Sequence, residues 1–374
     1  MPLSSTARLR LLLVAPTLDI IGGQAVQASR LLQHFRVEEG LDVSFVPINP
    51  RLPAFIRRVR YLRTVINFAA FAALLIRRAP SCDIVHVFTA AYSSYFLWTV
   101  PAMLVGRLLG KKVVVNYRDG QAGDHLKQSR LAVATLRLPD VIVAPSNYLV
   151  DVFAGFGVKA VSIPNLIDSA RFHFRRRTPL RPVFMTNRGL EPLYNVGCVL
   201  RAFAIIQRRY PDASLTIAHD GPCRPHLEAL AMELGLKNVC FIGKVPPERI
   251  PQLYDGADLY ICSPDIDNMP GSLLECFASG LPVIATKAGG IPYIVTDQVT
   301  GFLAPCNDHA ALAAQALRLL DNPQAALDAA ARAHAECARY SWAAIGPQWL
   351  ALYRQLSGQM PPVESAAENP LSRR

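Results

Sequence analysis

The chain has 374 residues, of which 51% are hydrophobic and 18% are charged. This length predicts two domains, and the hydrophobic content supports two buried cores, so a largely disordered chain is excluded. The formal net charge of +11 favours anionic partners such as phosphates or acidic lipid headgroups. The sequence has no interleaving of basic and aromatic residues that resembles a nucleic-acid module, so we expect no nucleic acid partner.

The cysteines and the N-terminal segment indicate the compartment. The eight cysteines form no CxxC motif, and no His/Cys cluster has the spacing of a metal site. Several of them lie in apolar runs, which fits a reducing cytoplasm. The N-terminal segment lacks the pattern of a secretory signal, and the longest apolar run, residues 65–76, is too short to span a bilayer. We therefore expect a cytoplasmic protein.

The first predicted elements are a strand at 10–15 and a helix at 25–35, joined by a turn that contains Gly22 and Gly23. Free N–H groups and the dipole at the start of such a helix can bind an anion. The glycines can equally serve only the tight turn, so the pattern leaves both interpretations open.

Residues 51–78 carry seven arginines, no acidic residue and many large apolar side chains. A basic amphipathic helix of this kind can lie on an anionic membrane surface, which would make the protein peripheral on the inner face of the membrane. The alternative is an ordinary core helix whose basic face is solvated.

The rest of the first half alternates strands and helices. Strands are predicted at 41–46, 83–88, 112–116, 140–144 and 160–163, and a helical stretch at 92–109 contains Pro101. A polar loop at 117–125 includes Arg118, and Ser146 is placed to cap a helix. This alternation predicts a doubly wound parallel sheet.

The pattern breaks at 171–182, a basic and proline-bearing segment that we interpret as the domain linker. A second alternation follows, with strands at 183–185, 214–218, 239–242 and 258–262 and helices at 196–210, 225–234, 310–338 and 342–356. The predicted fold class is α/β, with two Rossmann-like doubly wound domains facing each other across a cleft. We assign residues 1–174 to the N-terminal domain and 175–340 to the C-terminal domain. We expect the helix in 341–356 to return to the N-terminal domain and 357–374 to be disordered.

Residues 263–294 contain two acidic side chains that are candidates for a functional site. Asp267 lies in a loop of turn formers, and Glu275 lies in the first turn of the next helix. A strand at 283–286 follows, and then the turn Gly289-Gly290, which we interpret as a place where a ligand could approach the backbone. Local chemistry offers a structural interpretation, in which Ser272 and Glu275 form a capping box and Asp267 closes an Asx-turn. The functional interpretation is a ligand site, because open α/β sheets bind ligands at the ends of their strands.

Several motifs in order resemble those of the retaining glycosyltransferases of family four, which have the GT-B fold. Residues 219–224 (HDGPCR) with Leu227-Glu228 resemble G-D-G-P-x-R-x-x-L-E, and residues 241–245 (FIGKV) resemble F-x-G-x-V. Asp267-x7-Glu275 with residues 280–285 (GLPVIA) resembles E-x7-E followed by G-x-P-V-I-A. In the first half the glycine turn, Ser146 and residues 163–168 (IPNLID) also match. The resemblance covers nearly all of residues 9–356 and is strongest in the second half.

The resemblance implies an acceptor-side first domain and a second domain that binds a nucleotide-sugar as co-substrate, with no other cofactor. Glu275 would accept hydrogen bonds from ribose hydroxyls, Asp267 would hold sugar hydroxyls and Arg188 would grip the diphosphate. The implied donor-binding residues also include Gly22, Gly23, Gly221, Lys244, Asn268, Met269, Pro270, Gly271 and Ser272. No metal is required if the protein itself supplies the cations that bind the diphosphate, so we expect metal-independent transfer, and the resemblance implies retention of the anomeric configuration.

The chain departs from the family pattern at two places. No lysine occurs in residues 191–195, where the family places a second diphosphate ligand, and Arg118 stands where a histidine is usual. Our hypothesis is that Arg118 or Lys244 supplies the missing positive charge, and we count Arg118 among the catalytic residues with Arg188 and Asp267.

Three functions remain open at this point. The first is a glycosyltransferase that acts on a glycan or lipid-linked acceptor in polysaccharide or glycolipid biosynthesis. The second is an inactive GT-B subunit that binds or scaffolds a polysaccharide assembly, which the two departures motivate. The third is another GT-B enzyme, a phosphorylase or a sugar-nucleotide epimerase, although a phosphorylase would normally carry a lysine for pyridoxal phosphate and a longer chain.

Overall fold

The computed structural model describes residues 8–18, 22–50 and 60–359, and for residues 60–62 the backbone alone. The first part of the basic stretch at 51–78 and most of the tail predicted at 357–374 therefore lie outside the described residues, as does the N-terminal segment examined for a signal.

The first half of the chain forms a parallel six-stranded sheet flanked by helices. The strands are β1 (Leu9–Ala15), β2 (Leu41–Pro47), β3 (Ile84–Thr89), β4 (Lys112–Tyr117), β5 (Val141–Ala144) and β6 (Val161–Ser162). The helices are α1 (Gly23–Val37), α2 (Arg60–Arg78), α3 (Val100–Leu108), α4 (Ala122–Gln128), α5 (Arg130–Thr135) and α6 (Asn147–Ala154). The order across the sheet is β2-β1-β3-β4-β5-β6. Helices on both faces bury the central strands, so these strands are nearly continuous aliphatic runs rather than alternating ones.

The second half repeats the arrangement. Its strands are β7 (Val183–Thr186), β8 (Ser214–Ile217), β9 (Val239–Phe241), β10 (Leu259–Cys262), β11 (Val283–Thr286) and β12 (Phe302–Ala304). Its helices are α7 (Val196–Arg209), α8 (Arg224–Glu233), α9 (Ile250–Gly256), α10 (Gly271–Ser279), α11 (His309–Asp321) and α12 (Pro323–Glu336). The strand order is β12-β11-β10-β7-β8-β9, and the pairs are parallel. Two doubly wound α/β sheets are thus present, as the alternation predicted.

The strand orders locate the ligand-binding end of each sheet. In the first sheet the chain passes from β1 to β2 on one side and then crosses to β3 on the other. In the second sheet it runs from β7 outward to β9 and then crosses to β10 on the other side of β7. Such reversals leave a crevice at the carboxyl ends of the central strands, where ligands bind in open α/β sheets. The loops after β1, β4, β7 and β10 are therefore the ones to examine.

The last helix, α13 (Trp342–Leu356), packs against the first sheet. Trp349 and Tyr353 are buried in the same apolar cluster as Phe35 of α1. The Tyr353 hydroxyl lies 2.7 Å from Nδ1 of His86, a buried residue of β3 whose pKa is lowered to about 3, chiefly by burial. The helix therefore joins the C-terminal end of the chain to the first domain through an apolar contact and a buried hydrogen bond.

Some elements differ from their predictions for identifiable reasons. The long helix expected at 310–338 is two helices, because Pro323 has no N–H to continue α11 and instead starts α12. The polar loop expected at 117–125 ends early, since α4 begins at Ala122. Ser146 does cap α6, accepting a hydrogen bond from the Leu149 N–H.

The basic segment that we interpreted as a linker is fixed to the second domain. Arg177 is buried and donates to the carbonyl oxygens of Ala257, Ser279 and Tyr254 at 2.7–2.9 Å. Arg175 forms an ion pair of 2.6 Å with Asp258. Arg175 and Arg177 of this segment thus satisfy buried carbonyl and carboxylate groups of the second domain.

Candidate functional site

A cavity of about 810 Å³ lies between the two sheets, where the loops after β1, β4, β7 and β10 meet. It is lined by every site residue predicted from the sequence: Gly22, Gly23, Arg118, Arg188, Gly221, Lys244, Asp267, Asn268, Met269, Pro270, Gly271, Ser272 and Glu275. Residues from both halves of the chain therefore share one cleft. The geometry of each group bears on what the cleft can bind.

Arg188 and Asp267 form an ion pair that lines the cleft. Arg188 follows β7 and Asp267 follows β10, so the pairing of these neighbouring strands brings the two side chains together. Arg188 also donates to the Ser272 hydroxyl at 3.3 Å, and its guanidinium lies 4.3 Å from the centre of the Tyr194 ring. Burial disfavours the charge on Arg188, but the Asp267 carboxylate outweighs that cost and raises the arginine pKa above its ordinary value. Arg188 is thus a fixed cation inside the cleft.

The acidic loop, residues 265–270, is held by the first domain. The Ser146 hydroxyl donates to the side-chain oxygen of Asn268, whose amide nitrogen donates to the Arg118 carbonyl at 3.3 Å. The Asn165 side chain donates to the Met269 carbonyl at 2.7 Å. The loop therefore contacts both domains, and its position depends on how the domains sit against each other.

The glycine turn after β11 supports the same loop. Gly290 N–H donates to the Asp267 carbonyl at 2.9 Å, and a Cβ at Gly290 would lie 1.8 Å from the Asn268 carbonyl oxygen. At Gly289 a Cβ would lie 2.0 Å from the Asp267 carbonyl oxygen. Our interpretation of this turn as a place where a ligand approaches the backbone is therefore wrong, because the acidic loop fills that space.

The capping box predicted at Ser272 and Glu275 is absent. Helix α10 begins at Gly271 with Pro270 as its N-cap, and no side chain caps it. The Ser272 hydroxyl instead lies 3.1 Å from the Tyr260 hydroxyl and accepts from Arg188. Because Pro270, Gly271 and Ser272 line the cavity, the uncapped N-terminus of α10 presents its partial positive charge to the cleft.

Arg118 contributes a second cation from the first domain. It follows β4, donates to the side-chain oxygens of Asn165 and Asn116, and lies over the ring of Phe88 at 5.0 Å. No carboxylate among the described residues pairs with it, and its Nε has no hydrogen-bond partner. Burial lowers the arginine pKa to about 9, so the guanidinium is charged at neutral pH without a compensating anion. An anionic ligand would supply that compensation.

The remaining predicted residues border the cleft in different ways. Lys244 is exposed on its wall. No atom lies within 4 Å of where a Cβ at Gly23 would stand, so the backbone at the start of α1 faces open space. At Gly221 a Cβ would lie 2.4 Å from the Leu190 carbonyl oxygen, so this glycine is required by the close approach of two loops.

Sequence reasoning missed several residues that shape the site. Glu275 accepts a hydrogen bond from Arg30 of α1 at 3.2 Å and from the Tyr254 hydroxyl of α9 at 3.0 Å. Arg30 and Glu275 are 245 positions apart, so no local pattern could pair them. Asn165 lies within the matching run at 163–168, which was the available signal for its position next to the acidic loop.

Both halves of the chain are similar to known proteins. Residues 172–336 match the family model described as Glycosyl transferases group 1. The matched segment contains Arg188, Asp267 and Glu275, and the N-terminus of α10.

Two curated proteins are similar to parts of this chain. A GDP-mannose-dependent alpha-(1-6)-phosphatidylinositol monomannoside mannosyltransferase from Mycolicibacterium smegmatis is 29% identical over 284 residues, which cover 68% of this chain and 72% of that protein. A D-inositol 3-phosphate glycosyltransferase from Corynebacterium urealyticum is 34% identical over 188 residues, which cover 48% of this chain and 44% of that protein. The chain thus spans less than half of the second relative's length.

Solved structures extend the comparison to the whole fold. The Anabaena protein HepE, solved in complex with UDP-glucose, has a TM-score of 0.75 at 19% identity and covers 94% of this chain and 100% of its own. Sucrose-phosphate synthase from Thermosynechococcus elongatus has the same TM-score, identity and coverage. The chain has the GT-B fold, as the resemblance implied.

Proposed function

We propose that the chain is a retaining, metal-independent glycosyltransferase that moves a sugar from a nucleotide-sugar to a glycan or lipid-linked acceptor. The observation that carries the proposal is the convergence of Arg188, Arg118 and the uncapped N-terminus of α10 on one cleft. These groups come from both domains and favour a polyanion such as a diphosphate. The phosphatidylinositol mannoside named for the first relative supports a glycolipid acceptor.

The proposed chemistry follows from the charges that develop during transfer. As the bond between sugar and phosphate breaks, negative charge grows on the diphosphate and positive charge grows on the sugar ring. Arg188 is fixed by Asp267, Ser272 and Tyr194, so it can stabilise the leaving diphosphate without reorganising. Arg118 would act from the opposite domain, in the role that the family pattern gives to a lysine.

The other residues of the cleft would contact different parts of the donor. Glu275 would take the ribose hydroxyls, while Asp267 and the backbone of Asn268 and Met269 would hold the sugar. The backbone of Gly22 and Gly23 would approach the donor phosphate and the acceptor from the first domain. Lys244 would lie along the donor on the wall of the second domain.

Metal independence and retention are part of the same proposal. The support for metal independence is that fixed arginines and a helix N-terminus already supply positive charge where the diphosphate would lie. We expect turnover to continue in EDTA and the product to keep the anomeric configuration of the donor by NMR. Loss of turnover in EDTA, restored by a divalent cation, would refute the first expectation, and an inverted product would refute the second.

The decisive test of function is a donor panel. UDP-, GDP- and ADP-sugars should be compared by thermal shift, followed by assays for slow donor hydrolysis. We expect one nucleotide class to raise the melting temperature and its sugar to be hydrolysed. Absence of binding to every nucleotide-sugar would refute the proposal, and binding without any hydrolysis or transfer would favour the inactive scaffold.

Arg118→Ala tests the cation supplied by the first domain. We expect the affinity for the nucleoside diphosphate of the preferred donor to fall about tenfold, because a charge-assisted hydrogen bond to phosphate is lost. The affinity for the free nucleoside should not change. Titration calorimetry with both ligands measures this difference.

A matched control for Arg118 is Arg107→Ala, since Arg107 is an exposed arginine paired with Asp140 away from the cleft. We expect this variant to bind both ligands like the wild type. Unchanged diphosphate affinity and turnover in Arg118→Ala would show that the cation has another role.

We further propose that α2 holds the protein on an anionic membrane surface. Val65, Phe68 and Ile76 of this helix are exposed, and the exposed arginines Arg63 and Arg77 accompany them. Among the described residues, no helix has the length and apolarity needed to cross a membrane. An exposed apolar and basic helix fits a peripheral attachment, which suits an acceptor that carries a lipid.

The membrane proposal is tested by sedimentation with lipid vesicles. We expect binding to vesicles containing anionic lipid and little binding to neutral ones. Replacing Arg63, Arg77 and Arg78 with serine should weaken binding about 100-fold, at roughly 1 kcal/mol for each basic residue near the surface. The control replaces Arg201, Arg208 and Arg209 of α7, which changes the net charge equally on the other domain. If both triple variants lost vesicle binding equally, or if the protein showed no preference for anionic vesicles, the proposed role of α2 would be refuted.

A further inference from the structure

Glu275 is held on both sides of its carboxylate. Oε1 accepts from Arg30 at 3.2 Å and Oε2 accepts from the Tyr254 hydroxyl at 3.0 Å. The side chains of Arg30 and Glu275 are only 10% and 15% exposed. An ionised carboxylate has about four acceptor positions, so two remain for a ligand in the cleft.

Arg30 is anchored independently of Glu275. Its second terminal nitrogen donates to the Leu166 carbonyl at 3.0 Å. Gln27, one turn earlier on α1, both donates to the Leu166 carbonyl at 2.8 Å and accepts from the Leu166 N–H at 3.0 Å. Arg30 is therefore fixed by the first domain, and it reaches across the cleft to a carboxylate of the second domain.

Tyr254 is fixed within the second domain. It is buried, and its hydroxyl accepts from the Asn187 side chain at 2.9 Å while it donates to Glu275. Burial, together with the nearby Glu275 carboxylate, raises the tyrosine pKa well above its ordinary value, so the hydroxyl keeps its proton. Glu275 thus has one partner from each domain.

We propose that Arg30 and Tyr254 are positioning residues that orient Glu275 toward two ribose hydroxyls. Since Arg30 belongs to the first domain, the ribose site is complete only when the two domains sit against each other as in this structure. Nucleotide binding is then coupled to the arrangement of the domains through one ion pair. The inference rests on the proposed function, because it takes the ligand at Glu275 to be a nucleotide.

Arg30→Met tests the inference, because methionine keeps much of the side-chain volume and removes the donors. Two ligands are titrated: the nucleoside diphosphate of the preferred donor and its 2′,3′-dideoxy analogue. We expect the variant to bind the first about tenfold more weakly, as for the loss of one well-oriented hydrogen bond to a charged group. The dideoxy analogue has no hydroxyl for Glu275, so its affinity should be the same in both proteins.

Two further variants separate positioning from a structural role. Arg36→Met removes an exposed arginine of the same helix and should bind both ligands like the wild type. In a Glu275→Gln background, Arg30→Met should lower the affinity for the nucleoside diphosphate little further, since the carboxylate that Arg30 positions has already been replaced. Thermal unfolding without ligand reports whether each variant is folded.

The outcomes distinguish the inference from the function on which it rests. If Arg30→Met lowered the affinity for the ribose and dideoxy ligands equally, the inference would be overturned. Arg30 would then contact the phosphates or only hold the two domains together. No loss, or tighter binding of the diphosphate, would also overturn it. Failure of the wild-type protein to bind any nucleotide would instead refute the proposed function, and the inference with it.

Discussion

Arg188→Ala is expected to lower kcat about 10³-fold, the largest effect of any single change in the cleft. Asp267, Ser272 and Tyr194 hold the arginine in place. In the proposed reaction its contribution would therefore grow as charge develops on the leaving diphosphate. Steady-state kinetics with the preferred donor measures the effect. A kcat within tenfold of the wild-type value would contradict the assigned role.

Two companion variants keep that result interpretable. Arg188→Lys retains a charge beside Asp267 and avoids leaving a buried carboxylate unpaired, yet it loses the planar fork, so we expect a loss of about 10²-fold. Arg181→Ala removes a half-exposed arginine that pairs with Asp258 outside the cleft. This control should leave kcat unchanged.

Gly290→Ala is expected to destabilise the protein by about 3 kcal/mol and to abolish donor binding. Its φ of −83° suits any residue, so the cost is steric: the new Cβ would stand 1.8 Å from the Asn268 carbonyl oxygen. Relief requires the acidic loop to move, which displaces Asp267 from Arg188. Urea unfolding measures the stability, and calorimetry measures the binding.

The control for this change is Gly256→Ala. Gly256 ends α9, and no atom lies within 4 Å of the position where its Cβ would stand. We expect equal or slightly higher stability, because alanine allows the unfolded chain fewer backbone conformations than glycine does. If Gly290→Ala retained both wild-type stability and donor affinity, the loop would not depend on this turn.

The sequence was sufficient to predict the fold because its signals are periodic and local. Alternating apolar strands and amphipathic helices predict two doubly wound sheets. The resemblance, and not this alternation, implied that Arg188 and Asp267 share a site; in the structure they follow the neighbouring strands β7 and β10. The three-residue strand Phe302–Ala304 was missed, since so short a run has no distinguishing period.

The same local reasoning fails where distant residues compete for a side chain. Ser272 and Glu275 have the spacing of a capping box, and nothing nearby in the sequence argues against it. In the structure Arg188 and Tyr260 engage the serine, while Arg30 and Tyr254 engage the glutamate. These partners come from other strands and from the other domain, so the contacts depend on tertiary structure that the motif does not encode.

We propose that one cleft between the two sheets binds the donor. Hydrogen–deuterium exchange of the whole chain, with and without the nucleoside diphosphate of the preferred donor, tests this most directly. We expect slower exchange in peptides that cover 22–30, 187–194 and 267–276, and no change in α8 or α11. Protection that is absent from these peptides, or that lies outside the cleft, would contradict it.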